Sequence, residues 1–284
     1  MALHQVLFDD VRASCRKKLD SCELWLKRIV HDQLKAVFGI SYLDATLNGK
    51  ELFNAKTRNT IVNRLSNNDF AEQRAVDGMT FGEIADIICN GEVFDRYFAD
   101  CFTDSSPYCY PFIRIILRRI NKIRHDLAHT RQISLHDAER ILCYCDDIIL
   151  SISTYYRKCG MEREFNAPTF IRFSDSLGND IYLHSSKRHL DFHSSSILYI
   201  GQTIRLEVEV DTFFDPSTYT IDWIVNNITN GERGIGYSFT LVLTHRHVNE
   251  YFTVSAILAS NELWHRHGNF DAMLSISYKV LPFP

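Results

Sequence analysis

Arg124 and His129 stand five residues apart in the run Arg124-His125-Asp126-Leu127-Ala128-His129, and these side-chain types suit cleavage of RNA without a metal. Arginine presents a permanently charged, forked set of donors to a phosphate. Histidine can both take and give a proton near neutral pH. Cleavage by protons alone needs a base to activate the 2′-hydroxyl and an acid to protonate the leaving 5′-oxygen. His125, four residues before His129, shares a helical face with it and is a candidate to bond the scissile phosphate or to carry a second proton. Asp126, three residues before His129, is a candidate to orient its imidazole. Arg118, Arg119, Lys122 and Arg131 would line an approach for a phosphate backbone.

Helix geometry limits this reading. Residues five apart sit about 140° around the axis of an ideal helix, so Arg124 and His129 flank different sides of it. For both to reach one phosphate, the helix must end or bend between them, or a second copy must supply the partner. Two copies of His129 across a two-fold axis would fill the acid and base roles. Two copies of Arg124 would stabilise the charge that builds on the phosphorane. The plainer alternative is an arginine-rich helix face that is simply solvated.

The elements that hold this run are legible. Ile113, Ile116, Ile120, Ile123 and Leu127 keep one helix face apolar, with Arg114, Arg118, Arg119, Lys122 and Arg124 flanking it. After a break at Thr130 to Ile133, Ser134 and Asp137 offer a cap, and Ala138, Ile141, Leu142, Cys145, Ile148, Ile149 and Ile152 continue a buried stripe. The pattern predicts two antiparallel helices with the Arg/His run close to their turn. Upstream, Trp25, Leu26, Ile29, Leu34 and Val37/Phe38 mark a helix that Gly39 ends. A shorter helix is expected around Lys56 to Leu65. Thr80 with Glu83 forms a capping-box signature for another. A further short one is expected over Val93 to Phe102, ended by Asp104-Ser-Ser-Pro107.

The pattern changes after Cys159-Gly160, with Asn166-Ala-Pro168 as the candidate linker. Beyond it apolar residues alternate with period two, as in Ile204-Leu206-Val208-Val210. Strands are expected at Thr169–Phe173, Asp180–His184, Gln202–Val210, Thr218–Val225, Ser238–Thr244, Tyr251–Leu258 and Met273–Val280, forming a β-sandwich. His245-Arg-His247 and His265-Arg-His267 would each aim two imidazoles to one side if those segments are strands. Nothing in the spacing makes the two pairs converge on a metal, so surface or loop histidines are expected. Arg188, Arg246 and Arg266 in the same stretch would offer an auxiliary RNA contact.

Composition excludes some classes. The formal net charge over 284 residues is −4, so the chain is not a polyanion binder by bulk charge and any nucleic-acid contact must be a local patch. The opening residues carry acids where a secretion signal needs a basic region, and no apolar run approaches the roughly 20 residues that span a bilayer. No membrane association and a cytoplasmic location are the expectation. The eight cysteines all fall within the first 160 residues and are expected to be buried free thiols. In Cys143-Tyr-Cys145 the two thiols should diverge on a helix.

The runs Trp25-Leu-Lys-Arg-Ile, Met79-Thr-Phe-Gly-Glu-Ile, Arg124-His-Asp-Leu-Ala-His129 and Ile133-Ser-Leu-His-Asp-Ala138, in that order, resemble the HEPN superfamily (higher eukaryotes and prokaryotes nucleotide-binding). The branch most similar is the one also found in a eukaryotic messenger-RNA surveillance endoribonuclease, and the resemblance spans roughly residues 20–155. It implies an all-α up-and-down bundle that dimerises through the motif helices. It also implies an endoribonuclease of the toxin, host-defence or RNA-processing kind, needing no metal or other cofactor, with Arg124 and His129 in the catalytic roles. The position after the arginine, commonly asparagine in that family, is His125 here. Some members cut nothing and serve as RNA-binding or assembly modules, which is the alternative reading.

Ile204-Arg-Leu-Glu-Val-Glu-Val-Asp211, Tyr219-Thr-Ile-Asp-Trp223 and Ile276-Ser-Tyr-Lys-Val280 resemble a PKD-like, immunoglobulin-type sandwich with Trp223 in its core. Such domains bind proteins, so a protein partner or an antitoxin is the expected occupant. The expected architecture is α+β and multidomain, an all-α HEPN bundle over residues 1–160 followed by an all-β Ig/PKD-like sandwich over 167–284.

Overall fold

The structure is a computed structural model and describes residues 8–66, 74–103, 110–129, 131–183, 187–226, 228 and 231–283. The protein is α+β, with helices mostly in the N-terminal part and strands mostly in the C-terminal part. The chain divides into two compact units, Met1–Gly160 and Met161–Pro284. No helix among the described residues is long and apolar enough to cross a membrane.

In the first unit, α1 (Phe8–Phe38) is longer than its strongest sequence signal. Val11, Cys15, Leu19, Cys22, Leu26 and Ile29 are all buried, so one stripe spaced by three and four runs down the helix and holds its first half as firmly as its second. Gly39 ends it at φ 74°, donating its N–H to the Lys35 carbonyl at 2.9 Å. A small hairpin follows, β1 (Thr46–Leu47) with β2 (Lys50–Glu51), which the polar character of the segment concealed. Its turn is Asn48-Gly49 with both φ values positive, 50° and 78°, the conformation that a two-residue hairpin demands.

Helix α2 spans Ala55–Ser66 and α3 spans Phe81–Ile88. Thr80 caps α3 as its sequence requires: the Glu83 N–H donates to Thr80 Oγ1 at 3.3 Å and the Thr80 N–H to Glu83 Oε2 at 2.7 Å. Thr80→Ala is expected to cost about 1 kcal/mol, read as a lowered urea midpoint with unchanged slope. The stretch expected as one short helix is helical but changes pitch. It opens as α4 (Gly91–Val93), widens to a π turn over Phe94–Phe98 and tightens over Ala99–Phe102. The expected Asp104-Ser-Ser-Pro107 stop lies outside the described residues.

Two long helices complete this unit, α5 (Tyr110–Ala128) and α6 (Leu135–Lys158), the latter capped by Ser134 Oγ accepting from the Asp137 N–H at 3.1 Å. Helix α6 lies along α1, joined by Tyr156–Asp32 at 2.7 Å, Gln33–Tyr155 at 2.8 Å and Lys18–Asp146 at 2.7 Å. Cys15, Cys22, Cys101 and Cys145 are buried, and burial pushes the Cys15 thiol up to about 11. Cys143 is exposed where Cys145 is buried, so those two thiols do diverge. Cys143 and Cys159 depart from the expectation of burial, because both occupy the solvent side of α6 and its end; Cys89 is half-buried, and Cys109 lies outside the described residues.

In the second unit, α7 (Glu162–Phe165) precedes two sheets. One has the order β10-β7-β3-β4, made of Ser238–Val242, Thr203–Val210, Phe170–Asp175 and Asp180–Tyr182. The other runs β5 (Lys187–Asp191), β12 (Ala272–Leu281), β11 (Asn249–Ser260), β8 (Tyr219–Val225), β9 (Arg233–Ile235), with β6 (Ile197–Tyr199) also on β12. Strands β5 and β6 pair with β12 in parallel, and the remaining pairs are antiparallel. The sheets pack face to face through Trp223 of β8 stacked on Phe239 of β10, with ring centroids 5.8 Å apart. The Trp223 indole N–H donates to the Gly236 carbonyl at 2.8 Å, so this buried aromatic leaves no polar atom unmet. Strands β5, β6 and β9 were not anticipated, being short and flanked by polar residues that hide the alternation.

The linker candidate Asn166-Ala-Pro168 falls within the second unit and is packed there: Ala167 and Thr169 are buried, and the Ala167 carbonyl accepts from Arg266 at 3.1 Å. Both His-Arg-His runs lie outside the strands, as expected of loop histidines, although His247 is buried and not on the surface. His245–His247 is a single tight helical turn, and His265–His267 lies in the loop before β12. Its chain is held by Asp271, which accepts from the N–H groups of Ser260 at 2.7 Å and Arg266 at 2.9 Å.

Candidate active site

Helix α5 carries the Arg/His run and determines where it ends. Ile113, Ile116, Ile120, Ile123 and Leu127 are buried, which fixes the rotation of the helix and leaves Arg118, Arg119, Lys122 and His125 exposed. The last turn has unpaired carbonyls, as every helix end does, and two arginines close them differently. Arg12 of α1 reaches the Leu127 carbonyl at 3.3 Å. The Arg131 backbone N–H reaches the Asp126 carbonyl at 2.9 Å. The last helical residue is Ala128, and the His129 N–H still donates to the His125 carbonyl at 3.1 Å, so His129 follows directly on the final turn.

Arg124 is half-buried and held by partners from two other helices. Its Nη2 donates to Glu23 Oε2 of α1 at 3.2 Å, and its guanidinium carbon lies 5.9 Å from the centre of the Phe81 ring at the start of α3. The other Glu23 oxygen takes Lys27 at 3.0 Å. One carboxylate thus faces two cations, leaving an excess of one positive charge beside the Arg124 fork. Glu23 and Lys27 escaped the sequence reading. Their signal was a charged pair four residues apart against the buried stripe of α1, with Lys27 itself buried.

His125 and His129 meet at the exposed end of α5. Their ring centroids are 4.2 Å apart with planes at 66°, an edge-to-face contact, and the His129 N–H donates to the His125 carbonyl at 3.1 Å. Both imidazoles are open to solvent. The Asp126 carboxylate accepts from Arg131 Nη1 at 3.1 Å through one of its oxygens.

The expected phosphate-binding residues divide accordingly. Arg118 and Lys122 are exposed, Arg119 donates to the Tyr144 hydroxyl at 3.0 Å, and Arg131 is exposed although paired with Asp126. At the far end of α3, burial raises the Cys89 thiol to about 11, while Arg118 and Arg114 pull it down. Those arginines therefore lie near the C-terminus of α3, and Phe81 at its N-terminus lies under Arg124, so α3 runs antiparallel to α5.

Two histidines of the second unit, His247 and His265, serve its framework. His247 is buried, with Nδ1 accepting from the Thr244 N–H at 2.9 Å and Nε2 against Glu232 at 3.2 Å. His265 contacts buried Asp271 at 3.2 Å. Arg266 donates to the carbonyls of Asp271 and Ala167, so it is turned inward and not displayed to RNA. Among the described residues no group of three or more His, Cys, Asp or Glu side chains is placed to hold a metal ion. No protein-family model matches the chain, and no curated protein matches it significantly in sequence.

Proposed function

We propose that the helical unit is a HEPN-type endoribonuclease domain that cleaves RNA by attack of the 2′-hydroxyl, acts as a homodimer through the motif helices, and needs no metal. The observation that carries this reading is a pair of touching, solvent-open imidazoles at the end of α5, His125 next to the half-buried Arg124 guanidinium and His129 just past the last helical residue. An imidazole pair can hold one proton and accept another, which matches the two transfers that the reaction needs. A guanidinium fixed before the substrate arrives stabilises developing phosphorane charge without reorganising. Arg118 and Lys122 would guide the strand towards it.

The second unit is read as a PKD-like, immunoglobulin-type sandwich that recognises a protein partner or an antitoxin. A toxin or an antiviral effector in the cytoplasm is the setting that fits such a pairing. The test is to incubate the full chain with single-stranded RNA in EDTA and to examine the new ends. Products with 2′,3′-cyclic phosphate and 5′-hydroxyl ends are expected. Glu23→Gln, which keeps the shape but removes the charge that fixes Arg124, is expected to slow cutting about tenfold, the effect of one weakened charge-assisted hydrogen bond.

The alternative is a helical interaction module that cuts nothing. One observation favours it: Arg124 already has a carboxylate partner, so its charge has a purely structural use. Absence of cutting by the dimer, with and without co-expressed partners, would decide for this reading.

A further inference from the structure

We propose that Asn121 is a substrate-positioning residue of the same site, its carboxamide gripping the ribose-phosphate chain of a single-stranded RNA beside the phosphate held by Arg124. This rests on the ribonuclease reading above. Asn121 lies three residues before Arg124 and four before His125, so the three share one face of α5. It is half-buried against the first turn of α3, where a Cβ on Gly82 would come within 3.5 Å of its Nδ2. The neighbouring Phe81 ring lies under the Arg124 guanidinium, so amide and guanidinium border the same stretch of α3.

The amide has no protein hydrogen-bond partner among the described residues. Asparagine is a poor choice for a helix interior, because its side chain competes for backbone groups. A carboxamide offers donors and an acceptor together, which fits a non-bridging phosphate oxygen on one side and a ribose hydroxyl on the other.

The experiment compares Asn121→Ala and Asn121→Asp with the unsubstituted full chain, measuring kcat and KM on a single-stranded RNA and the midpoint of thermal unfolding. KM is expected to rise about tenfold for alanine, the loss of one hydrogen bond to a charged group, and further for aspartate, which repels phosphate. For both, kcat should stay within about twofold. The melting midpoint of Asn121→Ala should hold or rise, since alanine is the better helix former. An unchanged KM, a fall in kcat alone, or a KM change accompanied by a lower melting midpoint would each overturn the inference while leaving the ribonuclease reading standing. An unsubstituted chain that cuts no RNA overturns both.

Discussion

His129→Ala is expected to slow EDTA-resistant RNA cleavage by about 10³-fold, within the range that a positioned proton carrier supplies. The imidazole stands at the end of α5, one residue past the last helical position, where Arg12 and Arg131 hold the final turn. Alanine removes the proton carrier and leaves those backbone bonds in place, so circular dichroism and the melting midpoint should be unchanged. Arg124→Ala should reduce the rate comparably, because phosphorane charge then develops without its fixed counterion. Arg124→Lys should not restore it. A lysine ammonium is a point charge that cannot hold Glu23 and present a second donor edge in the same plane. His125→Ala is the informative companion. If the touching imidazoles divide acid and base work, its pH–rate profile should lose one limb. Rates that survive both His129→Ala and Arg124→Ala, or that appear only with added magnesium, would contradict the proposed mechanism.

Asp271→Ala is expected to destabilise the second unit by about 3–5 kcal/mol, the cost of breaking a buried, charge-assisted set of bonds from one side. The carboxylate is fully buried and accepts from Ser260 N–H, Arg266 N–H and His265 Nδ1, so alanine would strand donors away from water. Burial on its own would raise the carboxyl pKa, but the Ser260 and Arg266 backbone N–H groups, with the His265 imidazole beside them, hold it below the ordinary value. A lowered native pKa has a definite sign. The stabilisation is complete above the unfolded value of about 3.9 and fades as pH falls through the native value. Chemical denaturation from pH 7 down to pH 3 should therefore show stability falling below about pH 4. Asp271→Asn should flatten part of that fall, and an equally steep fall in the variant would show that other carboxylates dominate.

Several elements were legible because one local rule fixed each of them. Thr80 and Glu83 announced the start of α3 through reciprocal bonds that need only four consecutive residues. Ile204, Leu206, Val208 and Val210 announced β7 because both faces of that strand differ in burial along its whole length. Strand β5 escaped because its partner β12 is more than eighty positions away and supplies the pairing that Lys187–Asp191 cannot signal alone. The Asn48-Gly49 hairpin was readable in principle, but strands of two residues each carry no period.

By itself the sequence determined the apolar stripe of α5, the cap of α6 between them, and hence that Arg124 and His129 fall near a helix end. Periodicity and capping act over a few residues, so they survive in a linear string. Only the tertiary structure decided that Glu23 and Phe81 hold Arg124, that Arg131 takes Asp126, and that the His125 and His129 rings meet edge to face. Those contacts depend on how α1 and α3 pack on α5 and on where the chain turns after Ala128. Such packing sums many weak contacts between distant residues, which no local pattern encodes.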